Sequence, residues 1–281
     1  MSLKFDIEEG KKSGVYFSGT SGSGKTNAAK SVIKMLMEAG ISCYIFDPSQ
    51  AWLKSSITNI IVVSALPTDL VVNQSTVFDI SRLLVSDQKI VVSDFCKGLF
   101  AHQVNLPEAD RKWCFVFFEE AQIYLQQNSM RANSSAEVMR LITVGRNFKI
   151  RYGLITQFPS TIDKLPVKMT KQRYFGYTDE KNDVEYIRSF LGDQVEELKS
   201  LKLGEFIYNK GTTLEHVQFP EFKTDIQPSI TESILLRQNN DGEAPKRAPN
   251  GRIYASDPMT IFLFVLGFIL AVIVIGYILL H

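Results

Sequence analysis

Eight consecutive residues carry the clearest chemistry in the chain: Gly19, Thr20, Ser21, Gly22, Ser23, Gly24, Lys25 and Thr26. Glycine at the first and sixth places, followed by lysine and a hydroxyl, is the spacing of a loop that cradles phosphates. Glycines allow backbone N–H groups to turn inward without Cβ clashes. A helix beginning behind the loop adds its positive end. In that arrangement Lys25 reaches the β- and γ-phosphates of ATP, and the Thr26 hydroxyl completes the coordination of Mg²⁺. Chance yields the pattern about once in a hundred chains of this length. The apolar run just before it, at 15–18, supplies the strand that such a loop needs.

A second acidic feature follows a second apolar run. Residues 113–118, WCFVFF, end in Glu119, Glu120, Ala121 and Gln122. A buried strand that delivers two acids to the C-terminal edge of a sheet places them where ligands bind in such sheets. Glu119 is then expected to hold the Mg²⁺ shell and Glu120 to polarise the attacking water. Glutamate in the first place is one methylene longer than aspartate, and an exchange of the two roles stays open. Farther along, residues 152–156 read as a strand with Gln157 at its tip. An amide beside the phosphate loop could contact the γ-phosphate or the water, or be a strand-end polar group. Arg146 lies just upstream. An arginine offered to a neighbouring subunit would stabilise the transition state by several kcal/mol, but spacing alone does not choose among Arg146, Arg151 and Arg173.

The elements that must position these groups alternate. Strands are expected at 15–18, 42–46, 59–63, 76–80, 113–118, 151–156, 175–177 and 205–208. Helices are expected at 26–39, 83–104, 136–144 and 183–201, with Gly40 closing the first. The alternation predicts an α/β domain with a mostly parallel sheet flanked by helices. The chain has 281 residues, enough for one such domain and an appendage. Lys and Arg number 31 against 30 acids, so no global positive charge advertises nucleic-acid binding. Lys164, Lys168, Lys171 and Arg173 form a local basic cluster, readable as a pore loop or as a solvated turn. Cys43, Cys96 and Cys114 show no CxxC pairing and read as inert thiols in a reducing compartment.

The organisation expected is an ATPase domain over 1–236, a polar flexible linker over 237–258 and a hydrophobic helix over 259–280. Those 22 uncharged residues would span about 33 Å as a helix, against roughly 30 Å of bilayer hydrocarbon. Lys246, Arg247 and Arg252 precede the helix and only His281 follows it. That asymmetry predicts a single-pass membrane protein with its large domain on the cytoplasmic side.

Taken together, GTSGSGKT, FDPSQAW, FVFFEEAQ, VGRNFKIRYGLITQFPSTIDK and LKLGEFIYNKGTTLEHVQF resemble the FtsK–HerA superfamily of P-loop ATPases. The resemblance implies a RecA-like fold and a DNA-pumping motor, usually a homo-oligomeric ring with nucleotide at subunit interfaces. It also implies that Gln157 is the polar sensor, Arg146 the arginine of the GR element and Asp47 a strand-end residue close to the nucleotide. Glu119 departs from the usual Asp, and Gln122 stands where a His is common. Packaging ATPases of membrane-containing viruses and Zot-like filamentous-phage assembly ATPases are the branches of similar size.

The leading expectation is a membrane-anchored ATPase that moves double- or single-stranded DNA during packaging, extrusion or transfer. A Zot-like NTPase that energises assembly or trafficking of membrane proteins or virions is the alternative. A nucleotide-binding scaffold with feeble turnover is a third.

Overall fold

The computed structural model describes residues 4–52, 61–63, 74–127 and 133–221. The expected linker and membrane helix lie outside the described residues. No helix among the described residues is long and apolar enough to cross a membrane.

Nine strands form one sheet: β1 (Val15–Ser18), β2 (Ser42–Asp47), β3 (Ile61–Val63), β4 (Thr76–Asp79), β5 (Cys114–Phe118), β6 (Ile150–Thr156), β7 (Gln172–Phe175), β8 (Glu205–Lys210) and β9 (Thr213–Gln218). Their order is β3-β4-β2-β5-β6-β1-β7-β8-β9. All pairings from β3 to β7 are parallel, and β8 and β9 add an antiparallel hairpin at one edge. The α-helices among the described residues are α1 (Ile7–Ser13), α2 (Lys25–Glu38), α3 (Val85–Asn105), α4 (Asn133–Val144), α5 (Lys164–Met169) and α6 (Lys181–Leu191).

The central strands are apolar on both sides because both faces of the sheet are covered. On one face Val32, Ile33 and Leu36 of α2 pack with Phe17, Ile45, Phe115 and Phe117. On the other, Val92, Leu99, Leu141 and Ile187 from α3, α4 and α6 pack with Tyr44, Val116, Tyr152 and Leu154. At roughly 25 cal/mol per Å² of apolar area buried, this two-sided core is the main stabilising contribution. Gly153 makes room for it, since a Cβ there would stand 2.2 Å from the Phe117 ring.

The sheet order settles which strand tips meet. β6 lies between β1, which carries the phosphate loop, and β5, which carries the acids. In register, Ser18 pairs with Thr156, and Phe118 pairs with both Phe46 and Leu154. One step beyond those pairs Glu119 comes beside Asp47, and a further step brings Glu120 to the β6 tip at Thr156 and Gln157.

Several boundaries differ from the sequence reading. β7 spans Gln172–Phe175 rather than 175–177, because Arg173 is a buried strand residue. The basic cluster therefore splits. Lys164, Lys168 and Lys171 are exposed, three of them on or just beyond α5, while the Arg173 guanidinium bonds to Val167 O, Lys168 O and Asn209 Oδ1. The helix expected over 183–201 is α6 followed by a 3₁₀ stretch, Gly192–Ser200, broken by Gly192 at φ 59°. All three cysteines are free and buried, and burial pushes each thiol upward, Cys114 to about 12.

Candidate nucleotide site

The loop between β1 and α2 is shaped by glycine where no other residue fits. Gly19 has φ 148°, and a Cβ on it would lie 2.7 Å from Ser23 Oγ. Gly24 caps α2 in the left-handed region at φ 96°, with the backbone of Gly204 immediately behind it. Neighbouring chain braces the loop. Thr20 N–H donates to Tyr177 O at 2.8 Å, and Gly204 N–H donates to Ser23 O at 3.1 Å. Ser21 and Gly22 form the exposed crest. Lys25 is buried, and its ammonium donates to Thr20 O at 2.8 Å, which draws it over the loop. Burial pushes its pKa down, opposed by the charges of Glu119 and Glu120.

Thr26 donates to Glu119 Oε1 at 2.7 Å, so the hydroxyl after the lysine and the first strand-end acid meet directly. These are the two residues expected to hold Mg²⁺. No group of three or more His, Cys, Asp or Glu side chains that could hold a metal occurs among the described residues. One carboxylate and one hydroxyl fit Mg²⁺, which keeps several waters and is bound together with substrate phosphates rather than in an all-protein cage. When bound, Mg²⁺ would neutralise charge on the phosphate oxygens.

Trp52 belongs to the site, a role the sequence reading did not assign. Its indole N–H donates to Glu119 Oε2 at 3.1 Å, and the ring is fully buried. Asp47 holds it there. One Asp47 oxygen accepts from Trp52 N–H at 2.8 Å, and the other from the N–H and hydroxyl of Ser49, each at 2.9 Å. Asp47 thus braces the turn that carries Trp52. Lys30 completes the packing, donating to Ala51 O at 2.9 Å with its ammonium 5.3 Å from the indole centre. The motif FDPSQAW contained this arrangement, but an indole is not a conventional partner of a strand-end acid.

Glu119 is buried, and burial pushes its carboxyl from an ordinary 4.5 up to about 7. The bonds from Thr26 and Trp52 pull it down, and the charges of Asp47 and Glu120 push it up. The folded chain therefore keeps a proton between pH 4.5 and 7 that the unfolded chain has released. Stability falls through that window as pH rises, and the buried charge exacts its full cost above pH 7. That cost is on the order of 3 kcal/mol. With nucleotide and Mg²⁺ withheld, Glu119→Gln is expected to melt about 5–10 °C above the wild type at pH 8, the gap shrinking toward pH 5. An equal offset at both pH values in paired thermal melts would contradict the buried charge.

Glu120 follows in the left-handed region at φ 50°, ψ 51°, before a 3₁₀ turn, Ala121–Ile123. That backbone costs a non-glycine residue about 1–2 kcal/mol, and it turns the side chain toward the β6 tip. Gln157 donates to Glu120 Oε1, and Gln122 donates to Oε2 at 2.6 Å. The strand register thus assembles Lys25, Thr26, Glu119, Glu120 and Gln157 along one edge of the sheet. The three arginines separate. Arg151 is 2% exposed and stacks on Tyr152, Arg173 is buried among carbonyls, and Arg146 is exposed in the 3₁₀ turn Gly145–Phe148. Of the three, Arg146 is the one whose charge faces solvent.

No protein-family model matches the chain, and no curated protein sequence does. Solved structures do. The genome-packaging NTPase B204 of Sulfolobus turreted icosahedral virus 2, in complex with ATP-γS, superposes with a TM-score of 0.57 at 19% identity, covering 74% of this chain and 98% of that one. VirB4 of Thermoanaerobacter pseudethanolicus gives 0.57 at 11% identity, covering 76% and 90%. The plasmid coupling protein TrwB, in complex with the non-hydrolysable GTP analogue GDPNP, gives 0.58 at 10% identity, covering 82% and 91%. At such identities the likeness is one of fold alone.

Proposed function

We propose that the chain is a membrane-anchored ATPase that couples ATP hydrolysis to the movement of DNA. The observation that carries the ATPase half is the strand-tip constellation itself. Thr26 is bonded to Glu119 and Glu120 to Gln157, with Lys25 folded over a glycine loop. In this reading the loop N–H groups and Lys25 bind the β- and γ-phosphates. Thr26 and Glu119 serve Mg²⁺, and Glu120 accepts a proton from the attacking water. A carboxylate that accepts two amide bonds keeps lone pairs free for that proton. Gln157, on the strand between the loop and the acids, lies within reach of both the γ-phosphate and the base.

DNA as cargo rests on the fold shared with a genome-packaging NTPase and with a plasmid coupling protein. The anchor rests on the apolar stretch at 259–280, and the flanking Lys246, Arg247 and Arg252 support an ATPase on the cytoplasmic side. Exposed Arg146 is the group a neighbouring subunit of a homo-oligomeric ring would receive.

The decisive measurement is the ATPase rate of the full chain in detergent, with and without double-stranded DNA. Severalfold stimulation, together with DNA binding that weakens steeply with salt, is expected. A rate indifferent to double- and single-stranded DNA, with no salt-dependent binding, would sink the translocase reading. It would leave an NTPase serving assembly or trafficking.

A further inference from the structure

We propose that Gln122, fixed from behind by Thr156, is a positioning residue for Glu120 and sets the rate of hydrolysis without touching the nucleotide. The inference rests on the reading of Glu120 as the general base. Thr156, the last residue of β6, is fully buried. Its hydroxyl oxygen accepts from the Phe158 N–H at 3.1 Å. Its single proton goes to Gln122 Oε1 at 2.8 Å. A hydroxyl has only one proton to give, so this bond selects which end of the Gln122 amide faces the strand. The oxygen end is taken, and the amino end is left pointing at Glu120, where it donates to Oε2 at 2.6 Å.

The direction of every bond in the series Phe158, Thr156, Gln122, Glu120 is therefore determined by its neighbour. The series starts from a backbone N–H beside a strand paired on both sides and ends on one oxygen of the base. Glu120 needs such an anchor. Its side chain has freely turning bonds, and its left-handed backbone lies at a tight turn rather than in a strand or helix. Gln122 ties down Oε2, and Oε1 is the oxygen shared with Gln157. Oε1 is thus the oxygen presented beside the strand-tip amide, and Oε2 is the one held.

Misplacing a base by about an ångström costs on the order of a hundredfold in rate while leaving substrate binding alone. Gln122→Leu removes the bond at similar volume. It is expected to lower kcat ten- to a hundredfold, with the KM for ATP and the affinity for a non-hydrolysable ATP analogue unchanged. Thr156→Val is expected to lower kcat in the same direction, and Thr156→Ser, which keeps the hydroxyl, to stay within about twofold of wild type. The double variant Gln122→Leu with Thr156→Val should lose no more than Gln122→Leu alone, because the two act in series.

Wild-type kcat in Gln122→Leu would overturn the proposal. So would Thr156→Ser falling as far as Thr156→Val, since packing rather than the hydroxyl would then be responsible. Glu120→Gln, run alongside, separates this inference from the one beneath it. If Glu120→Gln abolishes turnover and Gln122→Leu does not slow it, the general base stands and the positioning residue falls. If Glu120→Gln turns over like wild type, both fall.

Discussion

Glu120→Gln is expected to lower ATP turnover by about 10²–10⁴-fold while leaving ATP bound at close to wild-type affinity. The substitution keeps the side chain's length and the left-handed turn at φ 50°. It removes the charge that, in the proposed function, accepts the water's proton, and it turns one acceptor oxygen into a donor. Two amides, from Gln122 and Gln157, now converge on that carboxylate, so one of them must lose its acceptor. The glycine loop and the bond from Lys25 to Thr20 O stay in place, and the charge lost near Lys25 is one that would repel phosphate, so binding is spared. Single-turnover hydrolysis with titration of a fluorescent ATP analogue separates the two effects. The outcome also decides the question left open by the glutamate at 119. A normal rate in Glu120→Gln, with loss of hydrolysis in Glu119→Gln, would assign the base to Glu119.

Lys25→Met should show the opposite signature, a chain that binds ATP poorly and yet melts higher. In the proposed function the ammonium is the charge aimed at the phosphates, and losing one such donor is expected to cost about 10²–10³-fold in turnover. In the folded chain the same ammonium is buried, and its position costs enough to push its pKa down. Methionine fills the space of the stem without bringing a charge. It gives up the bond to Thr20 O and relieves the desolvation, so the melting temperature without nucleotide should rise by a few degrees. ATP should then raise the melting temperature of the wild type and fail to raise that of the variant. A variant that melts lower and still responds to ATP would contradict both the burial of the charge and its role.

The phosphate loop and the apolar acid-bearing strand were legible because each is contiguous and its chemistry resides in neighbouring residues. β1 begins and ends where the apolar run at 15–18 does, and α2 starts within one residue of expectation. What escaped notice depended on pairs far apart in the chain. Arg173 reads as part of a basic cluster until Asn209 is set against it by the pairing of β7 with β8. α5 contains Pro166 and two lysines in a span of six residues, so it reads as a turn, although proline is tolerated in a first helical turn. α1 is seven residues capped by Asp6, too short to show a period. β9 is a polar edge strand, TLEHVQ, without the apolar alternation that marks a half-buried one.

Within the site the same division holds. Trp52 meets Glu119 because β2 is paired with β5 at Phe46 and Phe118, and Gln122 meets Thr156 because β5 is paired with β6. No spacing along the chain encodes either register. Among the three arginines, burial separated what composition left equal, since two of them are spent on the core and its edges.

β6 is paired with β5 over Ile150–Leu154 and with β1 over Gly153–Thr156, and Gln157 hangs just beyond its last residue. Between them the two ladders cover every residue of the strand, so its amide protons should exchange with deuterium only when the sheet comes apart. The glycine loop, the turn after Asp47 and the turn after Glu120 have no such ladders, and their amides should exchange through small local openings. Added ATP would then protect those three short segments and leave β6 as slow as before. The machinery would be a set of yielding rims around one strand that keeps time for all of them.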